Sequence, residues 1–280
     1  MPDVAQAFVP GHVTGFFTTH TDSDPTRAGS QGGGIALSTG VTVTVHPAEE
    51  VEVVLDGKAV EIEAVERVLR TLQTPVVVRA VTDLPLASGF GVSGAMALGT
   101  ALACNAAFSR QLSRNELVTV AHGAEVQAGT GLGDVVAQAR GGVTMRLEPG
   151  GPHHNLLDAV PARGRVEYIT LGNLSTADVL DEDTDVLDEA GERALSTVVE
   201  EPTMESFMRA SRRFSRESGL LTEGVREVIT DVNEAGGQAA MAMLGETVFA
   251  LDTGLSDAGY DPEAARVHHA GATLQAPPEV

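Results

Sequence analysis

Two carboxylates, Glu125 and Asp134, stand on either side of the run Gly129-Thr130-Gly131-Leu132-Gly133, and a serine, Ser93, follows glycines at Gly89 and Gly91. Carboxylate oxygens are hard ligands that suit Mg2+, and a serine hydroxyl beside a glycine turn can reach a phosphate-bound magnesium ion. A flexible glycine turn lets two carboxylates converge on one site with different duties. One can neutralise phosphate charge through a cation while the other orients or deprotonates an alcohol, as phosphoryl transfer to a hydroxyl requires. Simpler duties fit the same residues: Glu125 as a solvated helix carboxylate, Asp134 as a helix N-cap.

The serine belongs to PLASGFGVSGAMALG, residues 85–99. Glycine loses more backbone freedom on folding than any other residue, so such a cluster marks a local geometric demand. A strand, a glycine turn and a helix starting near Ser93 would aim unpaired helix N–H groups, with the positive end of the dipole, at whatever lies before them. Phosphate binding is therefore the preferred reading of 89–93, and close helix packing that of Gly99 and the alanines after it. A Walker A loop is excluded because Lys58 is the only lysine. Gly89, Gly91 and Gly94 satisfy G-x-G-x-x-G only formally, because a dinucleotide fold also needs regular βαβ alternation.

The elements that must position these residues follow from periodicity. GGGIALS and VTVTVHP read as extended segments, with clear alternation over 41–45, and EEVEVVLDGKAVEIEAV reads as a hairpin turned at Asp56-Gly57. Helical spacing covers 63–72, a strand 76–82, a small-residue helix 93–108, and a helix 113–123 whose Ser113 and Glu116 have capping-box spacing. GGVTMRLEP is a further strand, GPHHNLLDAVPARGR a crossing between two halves, and RVEYITLG a strand. Helices over 187–199, 204–218 and 221–234 and strands over 239–244 and 247–251 follow, with a loosely ordered tail from Ser256 that carries Pro277-Pro278. The mixed order is that of an α+β protein, without regular βαβ alternation.

The chain has 280 residues, 42% hydrophobic, with 18 basic against 39 acidic residues and a formal net charge of −21. That charge disfavours nucleic acid and anionic membranes, both of which need a basic footprint. An acidic chain with one lysine and 4% aromatic residues fits a protein kept soluble in concentrated salt. The single cysteine, Cys104, excludes an internal disulfide and fits a reducing interior. The start MPDVAQAFVPGHV lacks a secretory pattern, and no apolar run approaches a membrane span, so the expected compartment is the cytoplasm.

Within residues 85–95, Pro85, Gly89, Phe90, Gly91, Ser93 and Ala95 resemble the second motif of the GHMP small-molecule kinases, a proline, three residues, then Gly-Leu-Gly-Ser-Ser-Ala. Val92 and Gly94 depart from it, one serine being lost and a glycine gained. VPGHVTGFF, residues 9–17, approaches the first motif of that family. With AGSQGGGIAL (28–37) and AAMAMLGETVFAL (239–251), it is similar to the archaeal pantoate kinases within the superfamily. The resemblance runs over nearly the whole chain and is weakest at 178–201 and in the tail. In a chain almost free of lysine it fits a haloarchaeal source.

The resemblance implies a GHMP kinase fold: residues 1–160 as an ATP-binding domain like the second domain of ribosomal protein S5, and 161–280 as a ferredoxin-like domain. It implies ATP and Mg2+ as cofactors and phosphorylation of pantoate to 4-phosphopantoate for coenzyme A synthesis. ATP would lie over Pro85, Ser88, Gly89, Phe90, Gly91, Val92, Ser93, Gly94 and Ala95, with Ser93 and Glu125 on Mg2+. Family members with a catalytic aspartate carry it seven residues before a Gly-Gly pair, and Asp134 keeps that spacing to Gly141-Gly142. Mevalonate, homoserine and shikimate kinases are the neighbouring alternatives, and a binding-only regulator of this fold is the alternative of another class. The reading leaves a homodimer open.

Pantoate carries a carboxylate that needs a cation or backbone N–H groups. Arg27, beside the second glycine-rich turn, and Ser30 are the candidates, although Arg27 equally suits a surface pair with an aspartate. His12 and Thr14 are candidates for the pantoate hydroxyls, with a structural role for the histidine as the alternative. His153-His154 and His268-His269 lack the spacing of a closed zinc site and read as surface residues. The acidic run at 181–185 lacks the glycine and late glutamate of a calcium loop.

Overall fold

A computed structural model describes residues 3–172 and 184–276. The first sheet contains β1 (Ala5–Phe17), β2 (Gly32–Pro47), β3 (Glu52–Leu55), β4 (Lys58–Ala59), β5 (Val76–Thr82), β6 (Val143–Glu148), β7 (Leu156–Val160) and β12 (Thr273–Gln275). Its main path runs β12-β1-β2-β5-β3-β4, with β6 on the first half of β2 and β7 on β6. The second sheet, all antiparallel, is ordered β11-β8-β10-β9 from β8 (Arg165–Gly172), β9 (Ala239–Ala242), β10 (Glu246–Leu251) and β11 (Glu263–Arg266).

Four helices accompany the first sheet: α1 (Glu63–Leu72), α2 (Val92–Ala107), α3 (Arg114–Ala128) and α4 (Asp134–Arg140). α1 buries Ala64, Val65, Val68, Leu69 and Leu72, one stripe of an amphipathic helix. α2 is apolar all round because it is enclosed, lying on β1 and β2 and flanked by α1 and α3. Its Gly99 is a packing residue: a Cβ there would stand 2.6 Å from Val43 Cγ2. α3 opens on the expected capping box, Ser113 accepting from the Glu116 N–H and the Glu116 carboxylate from the Ser113 N–H, a device whose loss costs about 1 kcal/mol. The later helices are α5 (Asp185–Glu200), α6 (Met204–Glu217), α7 (Glu223–Glu234) and the short α8 (Gly254–Asp257). Phe207 and Phe214 of α6 are fully buried, with Phe207 against Phe16 and Phe214 against Phe17 of β1.

The expected α+β order holds, and the Asp56-Gly57 turn joins β3 to β4 with both residues at positive φ. Three expectations change. The two extended segments near the N-terminus form one strand, β2, whose ends pair with different partners: Gly32 to Ile35 with β6, and Val41 to Pro47 with β5. The crossing at 151–165 contains β7, which extends the first sheet before the chain enters β8.

The tail is ordered through long-range bonds as far as residue 276. β12 pairs with β1 (Phe8 opposite Thr273), the Gly142 N–H donates to His268 O at 2.7 Å, and the His268 N–H donates to Ala36 O at 2.8 Å. His268 is thus half-buried beside Phe8, whereas His153, His154 and His269 are exposed as expected. Asp181 to Asp183 and Pro277-Pro278 lie outside the described residues. No helix among the described residues is long and apolar enough to cross a membrane.

Candidate active site

A cleft of about 1040 Å³ opens between the glycine loop ahead of α2, the β4–α1 connection and the C-terminal end of α3, and the turn between β9 and β10 closes one side. Ser88, Gly89, Phe90, Gly91, Val92 and Ser93 line it together with Thr14, Glu125, Thr130, Asp134, Met243 and Leu244. Pro85 is exposed outside the lining, and Gly94 and Ala95 are buried in the first turn of α2 behind it. The β9–β10 hairpin braces this wall: Thr247 Oγ1 of β10 donates to Ser88 O of the glycine loop (2.9 Å), and the Met243 N–H of the turn donates to Thr14 O of β1 (2.8 Å). Phe90 contributes its backbone to the cleft while its ring packs edge-on against Tyr168 of β8, 4.8 Å between centroids.

Gly91 caps α2 in the left-handed conformation (φ 62°), and its carbonyl accepts from Gln138 Nε2 at 2.9 Å. No side chain caps the helix, so its first N–H groups remain free to meet an anion. A Cβ on Gly91 would also come within 3.0 Å of Asp134 Cβ, so only glycine brings the loop this close to the carboxylate. The glycine gained at position 94, where the family motif has its alanine, has a local reason. A Cβ at Gly94 would already press on Val135 Cγ2 at 3.1 Å, on the face where α2 meets α4.

Glu125 is almost fully buried and accepts a 2.6 Å hydrogen bond from Ser93 Oγ at Oε1, while Oε2 has no partner. Burial raises its pKa to about 7, against the Ser93 and Thr130 hydroxyls, which lower it. A carboxylate with an orphaned oxygen beside a serine hydroxyl fits Mg2+, which takes one or two protein carboxylates and completes its shell with phosphate and water. No cluster of three or more metal-ligating side chains occurs among the described residues, as that mode of binding allows.

Asp134 opens α4 as its first helical residue; Gly133 is the N-cap, so the capping role is not what the carboxylate does. Its Oδ1 is 2.7 Å from His12 Nδ1 and accepts a longer bond from Thr14 Oγ1 at 3.4 Å. Among the described residues no hydrogen bond engages Oδ2. Burial pushes the Asp134 pKa up, but the hydrogen bond and charge of His12, the Arg146 guanidinium and the Thr14 hydroxyl outweigh it and hold the group below the ordinary range. Burial keeps His12 below its usual value despite Asp134, so the ring is neutral with Nδ1–H donating. Its Nε2 has no partner and faces Gly34, whose missing Cβ makes the room.

Arg146 of β6 is the cation that sequence reasoning missed. It is 1% exposed, its Nε donates to Ser30 O at 3.4 Å, and its Nη1 has no partner. Burial lowers its pKa to about 10 against the opposing pull of Asp134, and the group stays charged at neutral pH. Gly133 lets it approach, since a Cβ there would stand 2.5 Å from Arg146 Nε and 2.4 Å from Ser30 Oγ. The sequence signal was slight, a charge flanked by Met145 and Leu147 in the strand VTMRLE, which also ends on a charge, Glu148. Ser30 is brought to this cluster, and its loop is tied down by His122, whose Nε2 is 2.9 Å from Ala28 O. Arg27 is exposed, outside the cleft lining, and has no ion pair among the described residues.

Residues 59–142 match the GHMP kinases N terminal domain. The pantoate kinase of Thermococcus kodakarensis is 35% identical over 262 residues, covering 88% of this chain and 87% of that protein. The pantoate kinase of Methanospirillum hungatei is 34% identical over 254 residues, 88% of this chain and 86% of that one. A solved structure described as a phosphotransferase related to the CoA biosynthesis pathway superposes with a TM-score of 0.87 at 30% identity, covering 98% of this chain and 99% of its own. Identity at this level over most of both chains, with the half-buried Asp134 and the Ser93–Glu125 pair facing one cleft, shows that this chain belongs to the GHMP kinases, in the family of the pantoate kinases.

Proposed function

We propose that this chain is an ATP-dependent kinase that transfers the γ-phosphoryl group to the hydroxyl of pantoate, giving 4-phosphopantoate. The observation that carries the reading is Asp134 on the wall of the glycine-lined cleft, held from behind by the buried His12 and Arg146, in a chain of this family. The loop 88–93 and the N-terminus of α2 would hold the phosphates, with the cleft walls at Val60, Ile62 and Leu86 offering apolar surface to the base. Ser93 and Glu125 would hold Mg2+, which supplies neutralisation of phosphate charge.

Asp134 Oδ2 would accept the hydrogen bond of the acceptor hydroxyl and orient its oxygen toward the phosphorus. With a depressed pKa, Asp134 is a weak base in the resting site, so positioning precedes proton acceptance, which becomes favourable as the O–P bond forms. His12 and Thr14 fix the carboxylate by occupying Oδ1. Arg146, with an unpartnered nitrogen in a buried setting, is suited to the pantoate carboxylate, helped by Ser30. Arg27 is not needed for this role. The acidic, lysine-poor surface fits work in concentrated salt, where screening within a few ångströms lets an anionic acceptor approach.

The division of labour we infer follows the domain boundary at 160/161, with ATP handled by the first domain and the cleft closed by Met243 and Leu244 from the second. The test is ADP release in molar KCl with pantoate, mevalonate, homoserine and shikimate as acceptors. Turnover with pantoate alone is expected. Turnover with another acceptor in its place, or ATP binding with no turnover on any of the four, defeats the proposal.

A further inference from the structure

A second cavity, of about 590 Å³, lies between α6 and α7 and shares no lining residue with the cleft. Three arginines line it, Arg212 and Arg216 from α6 and Arg226 from α7, and no acidic residue does. In a chain with 39 acidic and 18 basic residues this is a local inversion of charge. The other arginines of α6 behave differently: Arg209 pairs with Glu201 at 2.9 Å and Arg213 with Glu217 at 2.6 Å. Among the described residues Arg212, Arg216 and Arg226 have no carboxylate within ion-pair distance. The one side-chain bond of the three is long, Arg212 Nη1 donating to Ala239 O at 3.4 Å.

The arrangement opposes helix stability. Arg212 and Arg216 stand at i and i+4, where like charges repel, and burial together with the charges of Arg216 and Arg209 lowers the Arg212 pKa. Arg226 lies within the first turn or so of α7, the end where the dipole favours anions over cations. Two hydroxyls of the same α6–α7 connection, Ser218 Oγ and Thr222 Oγ1, are buried without partners next in sequence to the lining residues Gly219 and Leu221, although they do not themselves line the cavity. An anion in the cavity relieves the repulsion and receives guanidinium forks from two helices.

We infer that the α6–α7 cavity is a second ligand site, for a small phosphorylated metabolite, separate from the catalytic cleft. Guanidinium forks from both helices suit a phosphate ester, and the volume lies in the range of organic ligands and exceeds what a bare phosphate fills. Leu221 and Ile229 supply apolar surface for the organic part, with Thr230 and Asn233 beside them. This inference does not depend on the acceptor used at the cleft.

The test is calorimetric titration of the full chain, its cleft filled by a slight excess of magnesium and a non-hydrolysable ATP analogue, with ribose 5-phosphate, fructose 1,6-bisphosphate and citrate at constant KCl. Saturable binding of either sugar phosphate is expected, weakened at least tenfold in R212Q/R226Q, with a melting temperature no lower than that of the wild type and wild-type turnover. Should the double variant fail to fold, R226Q, altered only at an exposed residue, is expected to weaken binding at least threefold. Absence of saturable binding, or equal binding by a folded variant, overturns the site. Citrate binding as tightly as the sugar phosphates overturns its assignment to phosphate esters.

Discussion

His12 Nδ1 lies 2.7 Å from Asp134 Oδ1, joining the first glycine-bearing strand to the first residue of α4 across 122 positions of sequence. The imidazole is fully buried and the carboxylate side chain is 19% exposed, so one oxygen is fixed from inside while the other faces the cleft. A neutral histidine held this way is a positioning residue for the aspartate.

Asp134→Asn and Asp134→Ala are therefore expected to lower turnover by about 10²–10⁴-fold, the usual worth of a placed acid–base group. ATP affinity should change little, because the phosphates are proposed to lie on the loop at 88–93 and not on this carboxylate. Turnover and the dissociation constant of ATP, measured separately on the folded variants, check the split. Turnover like that of the wild type would remove Asp134 from the chemistry.

Glu125 gives a pH dependence with a definite sign. Its pKa rises from 4.5 to about 7 on folding, so the folded state binds the extra proton between those values. Its contribution to stability is complete below pH 4.5 and is lost as pH rises through about 7. The difference is worth roughly 3 kcal/mol at most. The metal-free protein should thus lose several degrees of melting temperature between pH 5 and 8 through this group, and Glu125→Gln should flatten that slope. Mg2+ should bind more weakly below pH 7 and release a proton when it binds, which calorimetry in buffers of different ionisation enthalpy reads directly.

These two carboxylates and Ser93 are legible in the sequence because glycine spacing reports backbone demands, and such demands are local. Arg146 and the tail are not legible for the converse reason. β6 reads as an ordinary strand, and only its pairing with β2 carries Arg146 under Ser30 and Gly133. The residues after Ser256 have no period of their own. Their order comes from β1, Ala36 and Gly142, partners more than a hundred positions away. Arg27 adjoins a glycine turn, yet it is exposed, and nearness in sequence does not carry it into the buried cluster of Ser30 and Arg146.

Arg146→Lys separates charge from shape. Lysine keeps the positive charge beside Asp134 and loses the planar fork. With the acceptor carboxylate as the expected partner of the free Nη1, the variant should lose about 10–100-fold in kcat/KM for pantoate, the worth of a hydrogen bond to a charged group. The change should appear mainly in the KM of the acceptor, with the KM of ATP within about twofold. An unchanged acceptor KM would assign Arg146 to Asp134 alone.

Gly133→Ala tests the same cluster from the backbone side. The new methyl would stand 2.4 Å from Ser30 Oγ and 2.5 Å from Arg146 Nε, so the guanidinium or the loop must move. φ at Gly133 is −156°, an extended value open to any residue, so the cost is steric and falls on those two neighbours. Overpacking of this kind costs about 1–3 kcal/mol. The expected result is a melting temperature lowered by a few degrees with a disproportionate rise in the acceptor KM. The double variant Gly133→Ala/Ser30→Ala should recover part of the stability by removing one of the two clashes, and it should leave the acceptor KM high because Arg146 is still displaced. Full recovery of both would mean that Ser30 alone obstructs the methyl and that Arg146 tolerates it.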